Sequence, residues 1–254
     1  MTTFFGTQQD FALSQGTMKL PCHFREVHYA VALFAADRQK ALPFMERKGL
    51  QPALPWFRGK VMVALGLIAY QDSDLGAYNE VIVAIPCIRE GEKTGAMNWS
   101  GLLRKADSLK VGMHILHIPV TSERSRIAGA ECWGYPKKVL PIEHQLNGDV
   151  VHSLVKDESG STILTCDGKK GIGIPIPSLQ LMTYSFLKGE LLRTPVQVRG
   201  GLSWQPFAGI RLTVGTSNDS MANDLRAMGL DGAKASFFLD SPGFQAVFGA
   251  GVKV

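Results

Sequence analysis

A chain of 254 residues, 45% hydrophobic and 19% charged, can build one large core and is too apolar for a disordered protein. Its formal net charge of +5 comes from scattered Lys and Arg residues, without the basic stripe of a nucleic-acid-binding protein. The longest apolar run, residues 61–70, is too short to span a membrane, and the amino terminus lacks a signal-peptide pattern. We therefore predict one cytoplasmic domain of residues 1–254 that binds neither nucleic acid nor membrane.

In chain order, short apolar runs between turn sequences predict mostly β-structure. The predicted strands lie near residues 26–34, 60–70, 79–88, 111–120, 150–156, 161–166, 191–199 and 208–215. Helices are predicted at 36–49, where Pro43 should break or kink the helix, at 178–190 and at 218–232. The fold class is α+β, dominated by an antiparallel barrel or sandwich. Parallel βαβ units are not expected, because strands and helices do not alternate regularly.

Cysteine and histidine spacing argues against a metal site. The four cysteines are widely spaced and form no CxxC pair, and no HExxH sequence occurs. There is also no GxGxxG after a strand and no GxxxxGK[ST]. We expect free thiols, no bound metal and no organic cofactor.

Two adjacent lysines interrupt the apolar sequence "WGYPKKVL" at residues 133–140. Most such pairs are solvated, because lysine is rarely buried without a partner. In an extended segment, however, Tyr135 and Lys137 share one face while Lys138 lies on the other. One lysine can therefore face an apolar interior, although alternation alone does not say which.

The stretch "GAECWGYPKKVLPIEH" resembles the signature of the acetoacetate decarboxylase family. The resemblance implies that Lys137 forms a Schiff base with a keto substrate. It also implies an active-site arginine at Arg25, in "CHFREVHYAVALF", and an active-site glutamate at Glu80, in "DLGAYNEVIVAIP". The implied fold is a closed antiparallel β-barrel or cone-like sheet with a few peripheral helices.

Two positions depart from the family pattern. A second family glutamate is expected about fifteen residues before Glu80, where this chain has Leu65, and an arginine before the signature glutamate is replaced by Ala130. Loss of a carboxylate can change substrate preference or reaction type. We predict that Leu65, Trp133 and Tyr135 contribute to the substrate pocket.

A lysine attacks a carbonyl only when it is unprotonated, and a free lysine has a pKa of about 10.4. If residues 137 and 138 are extended, their amines lie ~10–12 Å apart, and repulsion contributes about 1.5 kcal/mol at an effective dielectric of ~20. Burial of a lysine can lower its pKa by ~3–5 units. We therefore expect Lys138 to modulate the acidity of Lys137 less than burial does.

The resemblance implies a carbon–carbon lyase that decarboxylates a small β-keto acid of the acetoacetate type through a lysine iminium. One alternative is a Schiff-base aldolase–dehydratase acting on pyruvate or another 2-keto acid, which Leu65 leaves open. The other is a β-barrel that binds a ligand without catalysis. The low charged fraction and the resemblance further predict a homo-oligomer.

Overall fold

The computed structural model describes residues 4–46, 48–53, 59–92, 106 and 109–254. The amino-terminal strands are β1 Gln9–Ala12, β2 Thr17–Leu20, β3 Cys22–Asp37, β4 Leu50–Pro52, β5 Lys60–Ser73, β6 Tyr78–Arg89, β7 Gly112–Val120, β8 Lys137–Val139 and β9 Ile142–Gln145. The carboxy-terminal strands are β10 Val150–Lys156, β11 Thr162–Lys169, β12 Ile174–Ile176, β13 Leu181–Leu187, β14 Glu190–Arg199, β15 Leu202–Trp204, β16 Arg211–Val214, β17 Phe237–Phe248 and β18 Val252–Lys253. The α-helices in the described residues are α1 Arg38–Ala41, α2 Glu123–Trp133 and α3 Ser220–Ala227.

Seven strands close a barrel in the order β17, β3, β5, β6, β7, β13 and β14, and β14 pairs again with β17. Neighbouring strands in this ring are antiparallel except for the parallel pair β7–β13. Further strands lie outside the ring, and a separate four-stranded sheet has the order β16, β11, β10 and β9. The predicted α+β, mostly β fold with a closed barrel is thus confirmed.

The expectation that parallel βαβ units are absent is wrong at one place. β7 runs into α2, and β8 then returns parallel to β7, with Ile118 opposite Lys137 and Val120 opposite Val139. A helix is the usual crossover connection between two parallel neighbouring strands. The sequence pattern did not predict this unit, because β8 has only three residues.

Two hydrophobic clusters occupy opposite faces of β3, β5 and β6. One cluster packs these strands against β10, β11, β16 and α3 and includes Leu65 and Phe34. The other gathers side chains from β3, β5, β6, β7, β14, β17 and α2, and includes Tyr70, Tyr78 and Trp133. Because side chains alternate along a strand, each of the three strands contributes to both cores.

All eight predicted strands are present, but the helix predicted at 178–190 is wrong. The segment forms β13, which turns through Lys188 and Gly189 into β14. Both turn residues have positive φ, 53° and 83°, as a two-residue hairpin turn of type I′ requires. The apolar positions in this segment therefore belong to a strand with alternating burial.

The other helix predictions have mixed outcomes. The region 36–49 forms only α1 and a 3-10 turn over Leu42–Phe44, which contains Pro43, while residue 47 lies outside the described part of the chain. The helix predicted at 218–232 is α3, capped by the Asp219 side chain. Helix α2 was not predicted, although Ser122 caps its start and Gly134 ends it with φ 65°. No helix among the described residues is long and apolar enough to cross a membrane.

Candidate active site

The side chain of Lys137 is buried, with 5% of its surface exposed. Its Nζ donates to Oε2 of Glu80 at 2.6 Å and to Oγ of Ser125 at 2.9 Å. The amine also lies 5.6 Å from the centre of the Tyr78 ring. A buried amine thus has a carboxylate, a hydroxyl and an aromatic face as its immediate surroundings.

Three structural elements bring these groups together. Lys137 opens β8, Ser125 lies in the first turn of α2, and Glu80 lies on β6. In the β5–β6 ladder, Ile68 is opposite Glu80 and Tyr70 is opposite Tyr78. Residues 78 and 80 therefore point to one face of the sheet, toward the βαβ unit that carries the lysine.

Buried hydroxyl groups surround Glu80. The Tyr70 hydroxyl donates to Oε1 of Glu80 at 3.1 Å, and the Tyr70 and Tyr78 rings stack with their centres 4.4 Å apart. Burial, followed by the charge of Glu80, raises the pKa of both tyrosines well above the usual value of 10.0. Both phenols therefore remain protonated near neutral pH and can donate hydrogen bonds.

The second lysine has a different environment. Half of the Lys138 side chain is exposed, and its Nζ lies 2.9 Å from Oδ2 of Asp219 and 3.7 Å from Oε1 of Glu158. The hydrogen bond with Asp219 raises the pKa of Lys138. The alternation argument is confirmed, since Lys137 faces the interior and Lys138 faces outward. Because nearby carboxylates compensate the charge of Lys138, its influence on Lys137 is further reduced.

A family model described as acetoacetate decarboxylase matches residues 12–195, a range that contains both the amine and Glu80. The chain belongs to the acetoacetate decarboxylase family. No curated protein matches the chain at a significant level.

Solved structures of acetoacetate decarboxylases share this fold. One, from Legionella pneumophila subsp. pneumophila str. Philadelphia 1, is 14% identical with a TM-score of 0.67, and the match covers 100% of this chain and 91% of that one. A second acetoacetate decarboxylase is 16% identical with a TM-score of 0.63, and the match covers 95% and 91% of the two chains. The enduracididine biosynthesis enzyme MppR, complexed with pyruvate, is 10% identical with a TM-score of 0.62 over 91% and 89%.

In this member of the acetoacetate decarboxylase family, the structure does not bring Arg25 to the amine. The guanidinium pairs with Asp74 and lies 3.2 Å from Oδ1 of Asp72, with 37% of the side chain exposed. Asp74 also accepts hydrogen bonds from Gln8 and from the backbone N–H of His23. Arg25 is therefore part of a polar cluster whose described partners do not include Lys137.

Leu65 is also separated from the amine, contrary to its predicted place in the pocket. It lies opposite Val83 and is buried in the cluster that β3, β5 and β6 share with the four-stranded sheet. On β5, the residues that face the same side as Glu80 include Gly66, Ile68 and Tyr70, but not Leu65. Counting residues back from Glu80 thus reaches a position on the wrong face of the sheet.

Trp133 and Tyr135 lie in the same cluster as Tyr70 and Tyr78. Their rings stack with centres 5.8 Å apart. The indole N–H of Trp133 donates to the carbonyl of Gly249 at 2.8 Å, and the Tyr135 hydroxyl lies 2.7 Å from Oγ1 of Thr183. Both are 6% exposed or less, so they are packed side chains of this cluster.

All four cysteines are free, as predicted, and the structure shows that all four are buried. Within the described residues, no group of three or more His, Cys, Asp or Glu side chains is arranged to hold a metal ion. Burial raises the pKa of Cys132 to about 12, so its thiol is protonated at neutral pH.

Sequence reasoning missed Ser125, Tyr70 and Tyr78. Ser125 lies within "VTSERSR", where the Ser122 cap and the Gly134 stop could have revealed a helix. Tyr70 closes the apolar run of β5, and Tyr78 lies two residues before Glu80 on the same face of β6. The alternation of β6 could therefore have placed Tyr78 beside the glutamate.

Proposed function

We propose that the protein is a Schiff-base decarboxylase of a small β-keto acid, with Lys137 as the nucleophile. The observation that carries the proposal is the buried amine of Lys137, bonded to Glu80 and Ser125, within a barrel of the acetoacetate decarboxylase family. A buried amine in contact with a proton acceptor is suited to covalent catalysis.

Glu80 is the proposed base for the amine. A proton that passes from Nζ to Oε2, across 2.6 Å, leaves an uncharged amine and an uncharged carboxylic acid. In a site shielded from water, this neutral pair avoids the desolvation cost of two separate charges. The amine lone pair can then attack the ketone carbon of the substrate.

The reaction proceeds through an iminium. Loss of water from the carbinolamine gives a carbon–nitrogen double bond, which accepts the electron pair of the breaking carbon–carbon bond as CO2 leaves. Glu80 gives its proton to the hydroxyl that leaves the carbinolamine as water, takes up another proton from water and passes it to the enamine carbon. Hydrolysis then frees the ketone and Lys137. Because the iminium is the electron sink, the proposed reaction uses no metal or organic cofactor.

The proposed role of Arg25 is structural. A substrate carboxylate would have to compete with Asp72 and Asp74 for the guanidinium. Tight binding of that carboxylate in the ground state would also slow its departure. These contacts favour an ion-pair cluster near the start of β3 over a group that orients the substrate.

A second candidate is an aldolase–dehydratase that acts on pyruvate. MppR, with a TM-score of 0.62, was solved with pyruvate and with the condensation product of pyruvate and imidazole 4-carboxaldehyde. Where β5 pairs with β6, the residues of β5 on the same face as Glu80 include Gly66, Ile68 and Tyr70 and no carboxylate. An enamine formed from pyruvate attacks an aldehyde instead of losing CO2.

Borohydride trapping separates these functions. The protein is incubated with acetoacetate or pyruvate, reduced, digested and analysed by mass, while CO2 release and aldehyde condensation are measured in parallel. We expect an adduct on Lys137 and release of CO2 from acetoacetate. Lys137→Met should lose both, whereas the matched control Lys138→Met should keep both. Condensation without CO2 release would favour the aldolase. The absence of any adduct with keto acids would favour a ligand-binding barrel.

We also propose a homo-oligomer. Ile172 and Phe207 are large apolar side chains that are 84% and 85% exposed, close in sequence to the edge strand β12 and its partner β15. Apolar surface of this kind often marks contacts between proteins. Light scattering of the purified protein tests the proposal, and replacement of Phe207 by Glu should reduce the measured mass.

A further inference from the structure

The two carboxylate oxygens of Glu80 accept hydrogen bonds from different groups. Oε2 accepts from Nζ of Lys137 at 2.6 Å, and Oε1 accepts from the Tyr70 hydroxyl at 3.1 Å. One oxygen of the proposed base therefore lies beside the nucleophile, while the other is held by a phenol that makes no hydrogen bond to the amine.

Strand register places Tyr70 within reach of Glu80. In the β5–β6 ladder, Tyr70 is opposite Tyr78, and the residue opposite Glu80 lies two positions earlier on β5. Tyr70 and Glu80 are thus diagonal neighbours on one face of the sheet, a separation that a long aromatic side chain can bridge. The Tyr70 ring packs on the rings of Tyr78 and Phe24, with centres 4.4 Å and 4.8 Å away. These ring contacts fix the direction of the hydroxyl.

We propose that Tyr70 is a positioning residue, which keeps the proton that Glu80 exchanges with the substrate on Oε2. This inference rests on the proposed Schiff-base function. A nucleophile and its base are typically completed by a third group that orients the base. Here Lys137 is the nucleophile, Glu80 is the base and Tyr70 is the orienting group. The hydrogen bond at Oε1 fixes the plane of the carboxyl group, so that Oε2 stays directed at Nζ.

Tyr70 keeps its own proton through the whole reaction. Burial, followed by the charge of Glu80, raises the pKa of Tyr70 well above the usual value of 10.0, so its phenol donates a hydrogen bond and carries no proton across. Oε2 takes one proton from Nζ and gives it to the hydroxyl that leaves the carbinolamine as water. Oε2 then takes a proton from water and gives it to the enamine carbon. Each proton gained at Oε2 is thus released from Oε2 before the next is taken up.

The burial of this pair makes the hydrogen bond at Oε1 important. Glu80 is 3% exposed and Tyr70 is 7% exposed, so water has little access to replace the phenol. Removal of the hydroxyl leaves a buried carboxylate oxygen without its donor. The proton of Glu80 is then free to reside on Oε1, the oxygen turned away from Nζ, and the carboxyl group is free to rotate. Both changes lower the fraction of molecules in which the proton is directed at the substrate.

Tyr70→Phe is the direct test, because it keeps the ring and removes only the hydroxyl. We expect borohydride-trapped adduct formation on Lys137 to slow about 10–100-fold, a part of the ~10²–10⁴-fold that general acid–base catalysis contributes. In the release of CO2 from acetoacetate, kcat should fall while KM stays unchanged. Replacement of Tyr70 by 4-aminophenylalanine, which retains a donor at the same place, should recover part of the lost rate.

A double-mutant cycle shows whether Tyr70 acts through Glu80. Glu80→Gln removes the oxygen that carries the proton, so Tyr70→Phe should cause no further loss in that background. Adducts are quantified by mass over long incubations, so that slow variants can be compared. A defect in packing would slow both backgrounds equally. Equal losses in the two backgrounds, or an unaltered rate in Tyr70→Phe alone, would overturn the proposal.

Tyr184→Phe is the matched control, since Tyr184 is a fully buried tyrosine in the other core cluster. It should form the adduct as fast as the unaltered protein does. Thermal unfolding should show that all variants are folded, which assigns the loss of rate in Tyr70→Phe to the missing hydroxyl.

Reductive methylation distinguishes failure of this proposal from failure of the proposed function. If the unaltered protein forms no adduct with keto acids, formaldehyde and cyanoborohydride still methylate an amine through a carbinolamine that has to lose water. The exposed amine of Lys138 is the internal reference. A lower ratio of methylation at Lys137 to that at Lys138 in Tyr70→Phe, but not in the Glu80→Gln background, would support the role of Tyr70. An equal ratio in Tyr70→Phe and the unaltered protein would overturn it.

Discussion

A Cβ atom at Gly129 would lie 2.5 Å from Cδ and 2.6 Å from Cε of Lys137. Helix α2 therefore packs against the lysine through a residue that has no side chain. The close approach holds the aliphatic part of Lys137 while Ser125, one turn earlier in the helix, holds its amine.

Gly129→Ala should lower the reactivity of Lys137 with little effect on the stability of the fold. Alanine favours a helix interior by about 1 kcal/mol over glycine, but the new methyl group has to displace the lysine chain from its present position. We expect adduct formation on Lys137 to fall at least about tenfold, with little loss of thermal stability. Trapping and thermal unfolding measure the two effects. Gly243→Ala, where a Cβ meets no atom within 4 Å, is the control and should leave both unchanged.

Lys138→Gln should have a small effect on the chemistry of its neighbour. The charge of Lys138 is compensated by Asp219 at 2.9 Å and is half exposed to solvent. We expect the pH midpoint of adduct formation to move by less than about one unit. Rates of trapping between pH 5 and pH 9 provide the measurement. A larger shift would show that repulsion between the two lysines, and not burial, has the larger effect on the pH midpoint of adduct formation.

A buried ion pair joins the end of β11 to β17. Nζ of Lys170 lies 2.8 Å from Oδ2 of Asp240, and the two side chains are 10% and 11% exposed. Asp240→Asn should lower the free energy of unfolding by about 3–5 kcal/mol, because the ammonium of Lys170 loses its buried partner. Asp10→Asn removes the exposed pair with Lys19, also at 2.9 Å, and should cost less than about 1 kcal/mol. Urea unfolding at pH 7 measures the free energy of unfolding of both variants and of the unaltered protein.

His114 should make the fold sensitive to acid. Burial lowers its pKa from 6.5 to about 4, so the unfolded chain binds a proton that the folded chain excludes. Its contribution to stability is complete above pH 6.5 and is lost as the pH falls toward 4, by an amount on the order of 3 kcal/mol. His114→Gln should flatten the dependence of the unfolding free energy on pH in this window. An unchanged slope would contradict the assignment, and His152→Gln, at a partly exposed site, is the control.

Much of the sheet was predictable because strand alternation is local. The eight predicted strands rest on apolar runs and turn sequences. Alternation placed Lys137 and Lys138 on opposite faces, and the family resemblance indicated that Lys137 is the reactive one. The segment 178–190 was misassigned because its apolar spacing is compatible with a helix, and only the paired positive φ values of Lys188 and Gly189 reveal a hairpin.

The misplacement of Leu65 has a simple geometric cause. On a strand, a shift of one residue moves a side chain to the opposite face of the sheet. A count of fifteen residues from Glu80 crosses the turn between β5 and β6, so it does not preserve the face. The pairing of Ile68 with Glu80 is what defines the correct side.

By itself, the sequence determined the strand pattern, the likeness to the acetoacetate decarboxylase family and the identity of the lysine that faces inward. Only the tertiary structure decided what that lysine meets. Glu80 lies 57 residues before Lys137, and Ser125 reaches it from a separate helix, so their contacts depend on barrel closure and on the βαβ crossover. Local propensity acts over a few residues, whereas an ion pair between distant segments exists only once the chain has closed on itself.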